Sequence, residues 1–336
     1  MRRRASSALG CRSAAIKKWY RLAKSGAKFY PSLMEELKSY GETDTGYARV
    51  GALWLHTDEQ KLEQMEERAR KRREDAPEMG EIVRLHPHEA KELFPPLGGE
   101  HHALYVSGAA RVNGRAVRDA LTNAAQKLGA AYMRGNARIL FEGSRVIGVE
   151  VNGAKYTAEA VIVTAGVWAG ELLEPLGVRF AVSPQKGQII HLEWLTGETA
   201  QWPVVMPPNN QYMLAFPGGR IIIGTTHEDE AGMDIRATAG GIHDILDKAL
   251  AIAPGLSTCT YVETRVGFRP RTPGFLPVFG PLPGFSGVYI ANGLGSSGLT
   301  VGPYVGKELA KLVIGLPTEL NQSDYDVANA VAPIVP

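Results

Sequence analysis

The chain has little cysteine, no long apolar run and almost no excess of charge, and each shortage excludes a class of protein. Only Cys11 and Cys259 occur among 336 residues. Two thiols so far apart in sequence predict neither a disulfide framework nor a zinc site, and they favour a reducing compartment. No apolar run approaches the ~20 residues that cross a bilayer. Thirty-seven basic and 35 acidic residues leave a net charge of +2, so nothing global indicates nucleic acid or an anionic membrane as partner.

The first residues, MRRRASSALGCRS, are basic but contain no apolar core of the kind that a secretory signal needs. A transit peptide would also be basic and serine-rich, but this stretch is short for one. We therefore expect a cytoplasmic protein.

Helical and strand-like segments interleave along the chain, with hairpin signals in the middle. Apolar spacing from Trp19 to Leu37 predicts an amphipathic helix that Pro31 kinks or divides. Residues 45–57, which Gly51 breaks, predict a strand, and residues 58–78 predict a charged helix that Asp58 caps. Turns at 142–144 and 152–153 predict two hairpins, and AVIVTAG (160–166) predicts a strand buried on both faces. These elements predict an α/β fold with an antiparallel second region.

Four histidines fall close together in sequence and raise the question of a metal site. They are His86, His88, His101 and His102. Neither pair has the helical i,i+4 spacing of a zinc site and no cysteine is near, so surface histidines are favoured and no metal is predicted.

Two strand-to-helix junctions have the glycine content that lets a ligand approach the backbone. Gly166 ends AVIVTAG, and NGLGSSGLT (292–300) separates the apolar run GVYIA from a helix-like stretch. Amides at a helix N-terminus stabilise negative charge. The second junction fits G-x-G-x-x-G in letters, but it lies near the C-terminus with no ribose-binding acid after it, so it does not predict the dinucleotide fingerprint.

Two side-chain types near these junctions point to different chemistries. Ser296 and Ser297 lack the G-x-S-x-G elbow and a neighbouring histidine, which leaves a hydrolase as a weakly supported hypothesis that predicts inhibition by a serine-reactive reagent. Arg269, within GFRPRTPG, precedes a stiff proline turn. Its guanidinium suits a ligand carboxylate and equally suits a surface ion pair.

Four segments, in order, resemble the flavin-dependent D-amino acid oxidase family, which includes glycine oxidase, sarcosine oxidase and D-amino acid dehydrogenase. The resemblance covers roughly residues 16–320, and its last segment, which contains RPRTPGFLPVFG, is the most specific. The segments are VIVTAGVWAGELLEPLG (161–177), SPQKGQIIHLE (183–193), GGRIIIGTTHEDEAGMD (218–234) and GFRPRTPGFLPVFGPLPGFSGVYIANGLGSSGLTVGPYVGKELAKLV (267–313).

The resemblance implies an FAD-binding Rossmann-like domain interleaved with an antiparallel α+β substrate domain. The expected ranges are 1–44, 106–170 and 265–320 for the first, 45–105 and 171–264 for the second, and 321–336 for a C-terminal tail.

The same resemblance implies roles for individual residues. Arg269 matches the arginine that binds the substrate carboxylate, and Tyr212 stands near an expected substrate-pocket tyrosine. The residues implied at FAD are Ala137, Arg138, Thr164, Ala165, Gly166, Trp168, Gly293, Leu294, Gly295, Ser296, Ser297, Gly298, Leu299 and Thr300. The turn from Gly293 to Thr300 would lie beside the pyrimidine end of the flavin. Glycine oxidase carries a second arginine where this chain has Ser296, which argues against glycine as substrate.

The family begins with a strand and G-x-G-x-x-G, and no such pattern precedes Ile16. We therefore expect a truncated or frame-shifted start, with FAD bound weakly or not at all.

The resemblance implies oxidation of the C–N bond of a small amino acid or secondary amine, with oxygen or a membrane quinone as acceptor. A quinone would bring peripheral membrane contact. An inactive remnant without flavin is the alternative, and substrate identity and oligomeric state stay open.

Overall fold

The structure is a computed structural model that describes the backbone of residues 2–332 and the side chains of residues 16–332. The side chain of Cys11 lies outside the described residues, and Cys259 is a free thiol. Burial raises the pKa of the Cys259 thiol to about 11, so this side chain is neutral at physiological pH.

Helices and strands alternate through the described residues, which confirms the predicted α/β class. The helices are α1 (Arg2–Ser39), α2 (Glu59–Asp75), α3 (Pro87–Leu93), α4 (Gly114–Lys127), α5 (Ala169–Leu173), α6 (Ala239–Ile252) and α7 (Gly298–Val313). The strands are β1 (Ala52–His56), β2 (Ile82–Leu85), β3 (His102–Val106), β4 (Ala137–Glu142), β5 (Arg145–Val151), β6 (Ala154–Thr157), β7 (Val161–Val163), β8 (Ser183–Glu193), β9 (Val204–Met206), β10 (Tyr212–Ala215), β11 (Arg220–Gly224), β12 (Thr260–Arg271), β13 (Val278–Pro281) and β14 (Val288–Asn292).

The chain divides into two compact units. The first comprises Met1–Glu36, Ala125–Gln185 and Phe268–Pro336, and the second comprises Leu37–Ala124 and Lys186–Gly267. The predicted domain ranges differ from these units in five segments. Residues 37–44, 106–124 and 265–267 belong to the second unit, and residues 171–185 and 321–332 belong to the first.

The first unit contains two three-stranded sheets, in the orders β13-β14-β7 and β4-β5-β6. Strands β14 and β7 are parallel, whereas β13 and β14 are antiparallel. Apolar residues of β7, β13 and β14 pack with α5 in one cluster, and α1 packs with α7 in another. Tyr325 is 1% exposed in the second cluster, so the prediction of a separate C-terminal tail from residue 321 is wrong.

The second unit is built on an eight-stranded sheet in the order β12-β8-β11-β10-β9-β1-β3-β2. Alternate residues of its strands, such as Ile190, Met213 and Ile221, are fully buried in the core that also takes in α3 and α6. This alternation is the pattern of a sheet that covers its core with one face.

Local signals in the sequence predicted several element ends correctly. Asp58 caps α2 and the turns at 142–144 and 152–153 form hairpins. Pro31 lies inside a single helix, α1. The prediction that residues 160–166 are buried on both faces is wrong, because β7 is an edge strand whose Ile162 is 44% exposed. Strand β1 is shorter than expected since Gly51, at φ +76°, interrupts the extended run.

No helix of the described chain combines the length and apolarity that a membrane crossing requires.

Lys186 of β8 is 1% exposed, and its ammonium lies 3.3 Å from Asp234 and 3.6 Å from Glu228. We predict that Lys186→Met lowers the free energy of unfolding by about 2 kcal/mol. Glu228 loses its counter-charge, and Asp234, which also pairs with Arg236, loses one of its two cationic partners. Lys248→Met is the matched control, since Lys248 and its partner Asp244 are both exposed. This variant should lower the free energy of unfolding by less than about 0.5 kcal/mol. Urea unfolding measures both free energies. An equal loss of stability in the two variants would contradict a stabilising role for the ion pairs of Lys186.

His191 of β8 is 3% exposed, and its Nε2 has no hydrogen-bond partner. Burial, followed by the nearby charge of Arg265, lowers its pKa to about 4. Between pH 6.5 and pH 4 the unfolded chain therefore binds a proton that the folded chain does not, so stability decreases as the pH falls, by about 2 kcal/mol at pH 5. This loss should be absent in His191→Phe and unchanged in His88→Gln when unfolding is measured at pH 7.5 and pH 5. If His191→Phe keeps the wild-type pH dependence of stability, His191 is not the source of that dependence.

Candidate active site

The two glycine junctions meet at one edge of the three-stranded sheet in the first unit. Because β7 and β14 are parallel, with Val163 opposite Ile290, their carboxyl ends lie side by side. The side chain of Asn292, 2% exposed, donates from Nδ2 to the carbonyl oxygen of Gly166 at 2.8 Å. Its Oδ1 accepts from the amide of Gly293 at 2.7 Å. One buried amide side chain therefore ties both turns together.

The turn after β14 requires glycine at two positions for different reasons. Gly293 has φ +74°, and a Cβ there would lie 2.1 Å from Thr272 Oγ1. Gly295 has φ +51°, but a Cβ there would meet no atom within 4 Å. The first glycine is needed for close packing, whereas the second faces open space and leaves its backbone accessible.

Helix α7 follows this turn, and no side chain caps its N-terminus at Ser297. The 3-10 turn Gly295–Ser297 leads directly into α7, so the positive end of the helix dipole lies at the glycine turn. Helix α1 packs against the same first turn, with Tyr30 donating to the carbonyl oxygen of Leu299 at 2.5 Å. A Cβ at Gly26 would lie 2.4 Å from the carbonyl oxygen of Thr300, so this packing is close.

A cavity of about 230 Å³ opens beside the turn. Its lining combines the backbone of the glycine turn with polar, aromatic and cationic side chains. The lining residues are Trp19, Gln185, Pro270, Arg271, Phe275, Gly293, Gly295, Ser296 and Ser297. Trp19 is held in place by its indole N–H, which donates to the carbonyl oxygen of Phe275 at 2.7 Å. The volume suits part of a ligand such as one ring system, since complete small-molecule sites span ~300–1,000 Å³.

The arginines of RPRTPG stand next to this cavity in different ways. Arg269 Nη1 donates to Gln185 Oε1 at 3.4 Å, and Gln185 lines the cavity. Arg269 itself is not among the lining residues, whereas Arg271 is, with its guanidinium carbon 4.1 Å from the centre of the Phe275 ring. The sequence argument named Arg269 alone and missed the second guanidinium.

Other residues that the resemblance implied are distributed over both units. Ala137 and Arg138 begin β4 of the second small sheet, where Arg138 forms an ion pair with Glu150 at 2.9 Å. Trp168, in the turn after β7, is 53% exposed. Tyr212 begins β10 in the second unit, and its role stays a prediction.

Neither a metal site nor a serine nucleophile gains support from the side chains. His86 lies 5.9 Å from His88 and 5.6 Å from His102, measured between ring centres. Among the described side chains, no three histidine, cysteine or acidic residues are arranged to hold a metal ion. The cavity lining contains Ser296 and Ser297 but no histidine or carboxylate that would activate them.

Asn292, Gln185, Arg271 and Trp19 were not identified from sequence. Asn292 had a usable signal, since an asparagine ends a buried parallel strand directly before a glycine turn. The other three come from separate segments of the chain, so only the fold brings them to one cavity.

Known proteins resemble this chain in sequence and in fold. An uncharacterized oxidoreductase, YurR, of Bacillus subtilis (strain 168) is 58% identical over 315 residues, which cover 94% of this chain and 85% of that protein. The crystal structure of iminodiacetate oxidase (IdaA) from Chelativorans sp. BNC1 is 44% identical, with a TM-score of 0.89 over 92% of this chain and 84% of that one. Glycine oxidase from Geobacillus kaustophilus is 26% identical, with a TM-score of 0.81 over 92% and 83%.

These likenesses confirm the expected α/β flavoenzyme fold, and they do not support the expectation of a truncated start. The family model described as DAO, FAD dependent oxidoreductase, matches residues 4–312. The chain therefore belongs to the DAO family of FAD-dependent oxidoreductases, whose cofactor is FAD.

Proposed function

We propose that this oxidoreductase oxidises the C–N bond of a small amine that carries a carboxylate on its α-carbon. The observation that carries the proposal is the cavity in which an open glycine turn, the start of α7 and Arg271 lie together, with Arg269 hydrogen-bonded to the lining residue Gln185. The product imine would hydrolyse to an oxo acid and ammonia or an amine.

The residues of the turn fit the flavin ring that the family uses. Gly295 leaves space where any other side chain would begin, and the start of α7 places the positive end of its helix dipole at the turn. FAD, when bound, accepts two electrons and a proton as a hydride equivalent from the substrate α-carbon. Ser296, Ser297 and the backbone of Gly293–Gly295 are the groups proposed to hold the pyrimidine end of that ring.

Arg269 is the residue proposed to bind and orient the substrate carboxylate. A planar guanidinium makes two parallel hydrogen bonds to a carboxylate, which fixes the α-carbon as well as the charge. Gln185 supports this role, because its Oε1 accepts from Arg269 and limits where the guanidinium points. A neutral amine needs no side-chain base to lose hydride, so a cavity without histidine is compatible with the reaction.

Relatives narrow the substrate class. Proteins similar to this chain include an iminodiacetate oxidase at 44% identity and a glycine oxidase at 26%. Both names describe the oxidation of a small amine with at least one carboxylate, and the closer likeness favours a secondary amine.

Substitution of Gly295 tests whether the turn holds the cofactor. Gly295→Ala should weaken FAD binding at least ten-fold, because a methyl group occupies the open space, while the backbone strain costs about 1 kcal/mol of stability. Gly315→Ala is the matched control, since Gly315 has φ +76° and also has no atom near a Cβ. Quenching of flavin fluorescence measures the dissociation constants. If both variants bind FAD equally well, the turn does not hold the ring.

Substitution of Arg269 tests the carboxylate site. In Arg269→Gln, kcat/KM for amino acid substrates should fall about 100-fold, because a charge-assisted bidentate contact is lost, while bound flavin stays stoichiometric. The exposed Arg118, which pairs with Asp119, supplies the control Arg118→Gln. Anaerobic bleaching of the flavin band gives the rates. An Arg269→Gln variant with unchanged kcat/KM would disprove the assignment.

A further inference from the structure

Arg269 and Arg271 lie on the same face of β12. Side chains two residues apart in a strand point to the same side, and their Cα atoms are separated by ~7 Å. Arg269 reaches Gln185, and both Gln185 and Arg271 line the cavity beside the glycine turn. Two guanidinium groups therefore approach one cavity from neighbouring positions of one strand.

Arg271 is held at the cavity wall by its surroundings. Its guanidinium stacks on the ring of Phe275, which also lines the cavity. Trp19 in turn donates to the backbone of Phe275. A guanidinium stacked on a ring directs its N–H groups outward in its own plane. The stacking orders the side chain before a ligand arrives, which reduces the entropy lost on binding.

Charge in the cavity is of one sign. Of the described residues that line it, Arg271 carries the only formal charge, and the remaining polar groups are Gln185, two serines and the indole of Trp19. A cationic wall without a carboxylate in the lining favours an anionic group on the ligand. Since Arg269 is already assigned to one carboxylate, Arg271 is in a position to bind a second.

We propose that Arg271 is a specificity-determining residue that selects substrates with two carboxylates, in which both flank one secondary amine. In such an iminodicarboxylate the nitrogen and two carbons separate the carboxylates, a span that matches two guanidinium groups placed two strand residues apart. Arg269 binds the carboxylate next to the carbon that is oxidised, and Arg271 binds the carboxylate on the other arm. This inference rests on the proposed function.

The test compares iminodiacetate with sarcosine, because these amines differ by one carboxylate. In the holoenzyme, kcat/KM for iminodiacetate should exceed that for sarcosine. Arg271→Met keeps an apolar stem that can stack on Phe275. It should lower kcat/KM for iminodiacetate about 30- to 100-fold, whereas kcat/KM for sarcosine should change by less than about three-fold. Arg271→Lys keeps the charge and should recover part of the preference, and Arg118→Met serves as the surface control. Flavin content is measured for every variant.

Each other outcome has a distinct meaning. If Arg271→Met lowers kcat/KM for iminodiacetate and for sarcosine equally, Arg271 does not select the substrate. The same conclusion follows if kcat/KM of the wild type is no higher for iminodiacetate than for sarcosine. If Arg271→Met and Arg271→Lys both lose flavin, the guanidinium contacts the cofactor and the proposal is overturned. If the flavin-loaded wild type is reduced by no amine at all, the proposed function fails. Reduction by sarcosine without discrimination refutes only the present inference.

Discussion

The site depends on the parallel pairing of β7 with β14. This pairing places two glycine turns at one sheet edge, although more than 120 residues separate them in sequence. Asn292 then fixes the turns to each other with both ends of its side-chain amide. A buried amide that is satisfied by two backbone groups has one low-energy orientation. The geometry of the turn is therefore determined before any ligand binds.

The same edge gathers three sources of positive potential. The start of α7, which has no side-chain cap, contributes the positive end of its helix dipole, and β12 contributes Arg269 and Arg271. Helix α1 closes against this region through Tyr30, Gly26 and Trp19. Packing fixes the positions of these groups in advance. They can therefore stabilise a ligand that already carries negative charge, such as a carboxylate, and one that becomes negative during the reaction. Such an arrangement suits the oxidation of an anionic amine beside a flavin.

The sequence predicted the local elements and the fold class, but it did not predict which side chains the fold brings to the cavity. Capping at Asp58 and the glycine turns are determined by neighbouring residues, so pattern alone identified them. The burial of β7 depends on which strands lie beside it, and its apolar run gave no indication that Ile162 would be exposed at a sheet edge. Nothing in the sequence distinguished Arg271 from other surface arginines, and only the fold shows that it lines the cavity. The tail expected over 321–336 is packed through Tyr325 and Val327, each 1% exposed, and their spacing follows neither a helical nor a strand period.

The most direct test of this account is a crystal structure of the chain with FAD. The account predicts electron density for the flavin ring against the backbone of Gly293–Ser297, with the pyrimidine end at the start of α7 and Arg271 within reach of the same cavity. Density for the ring at another place, with the turn beside Asn292 in contact with protein side chains only, would contradict it.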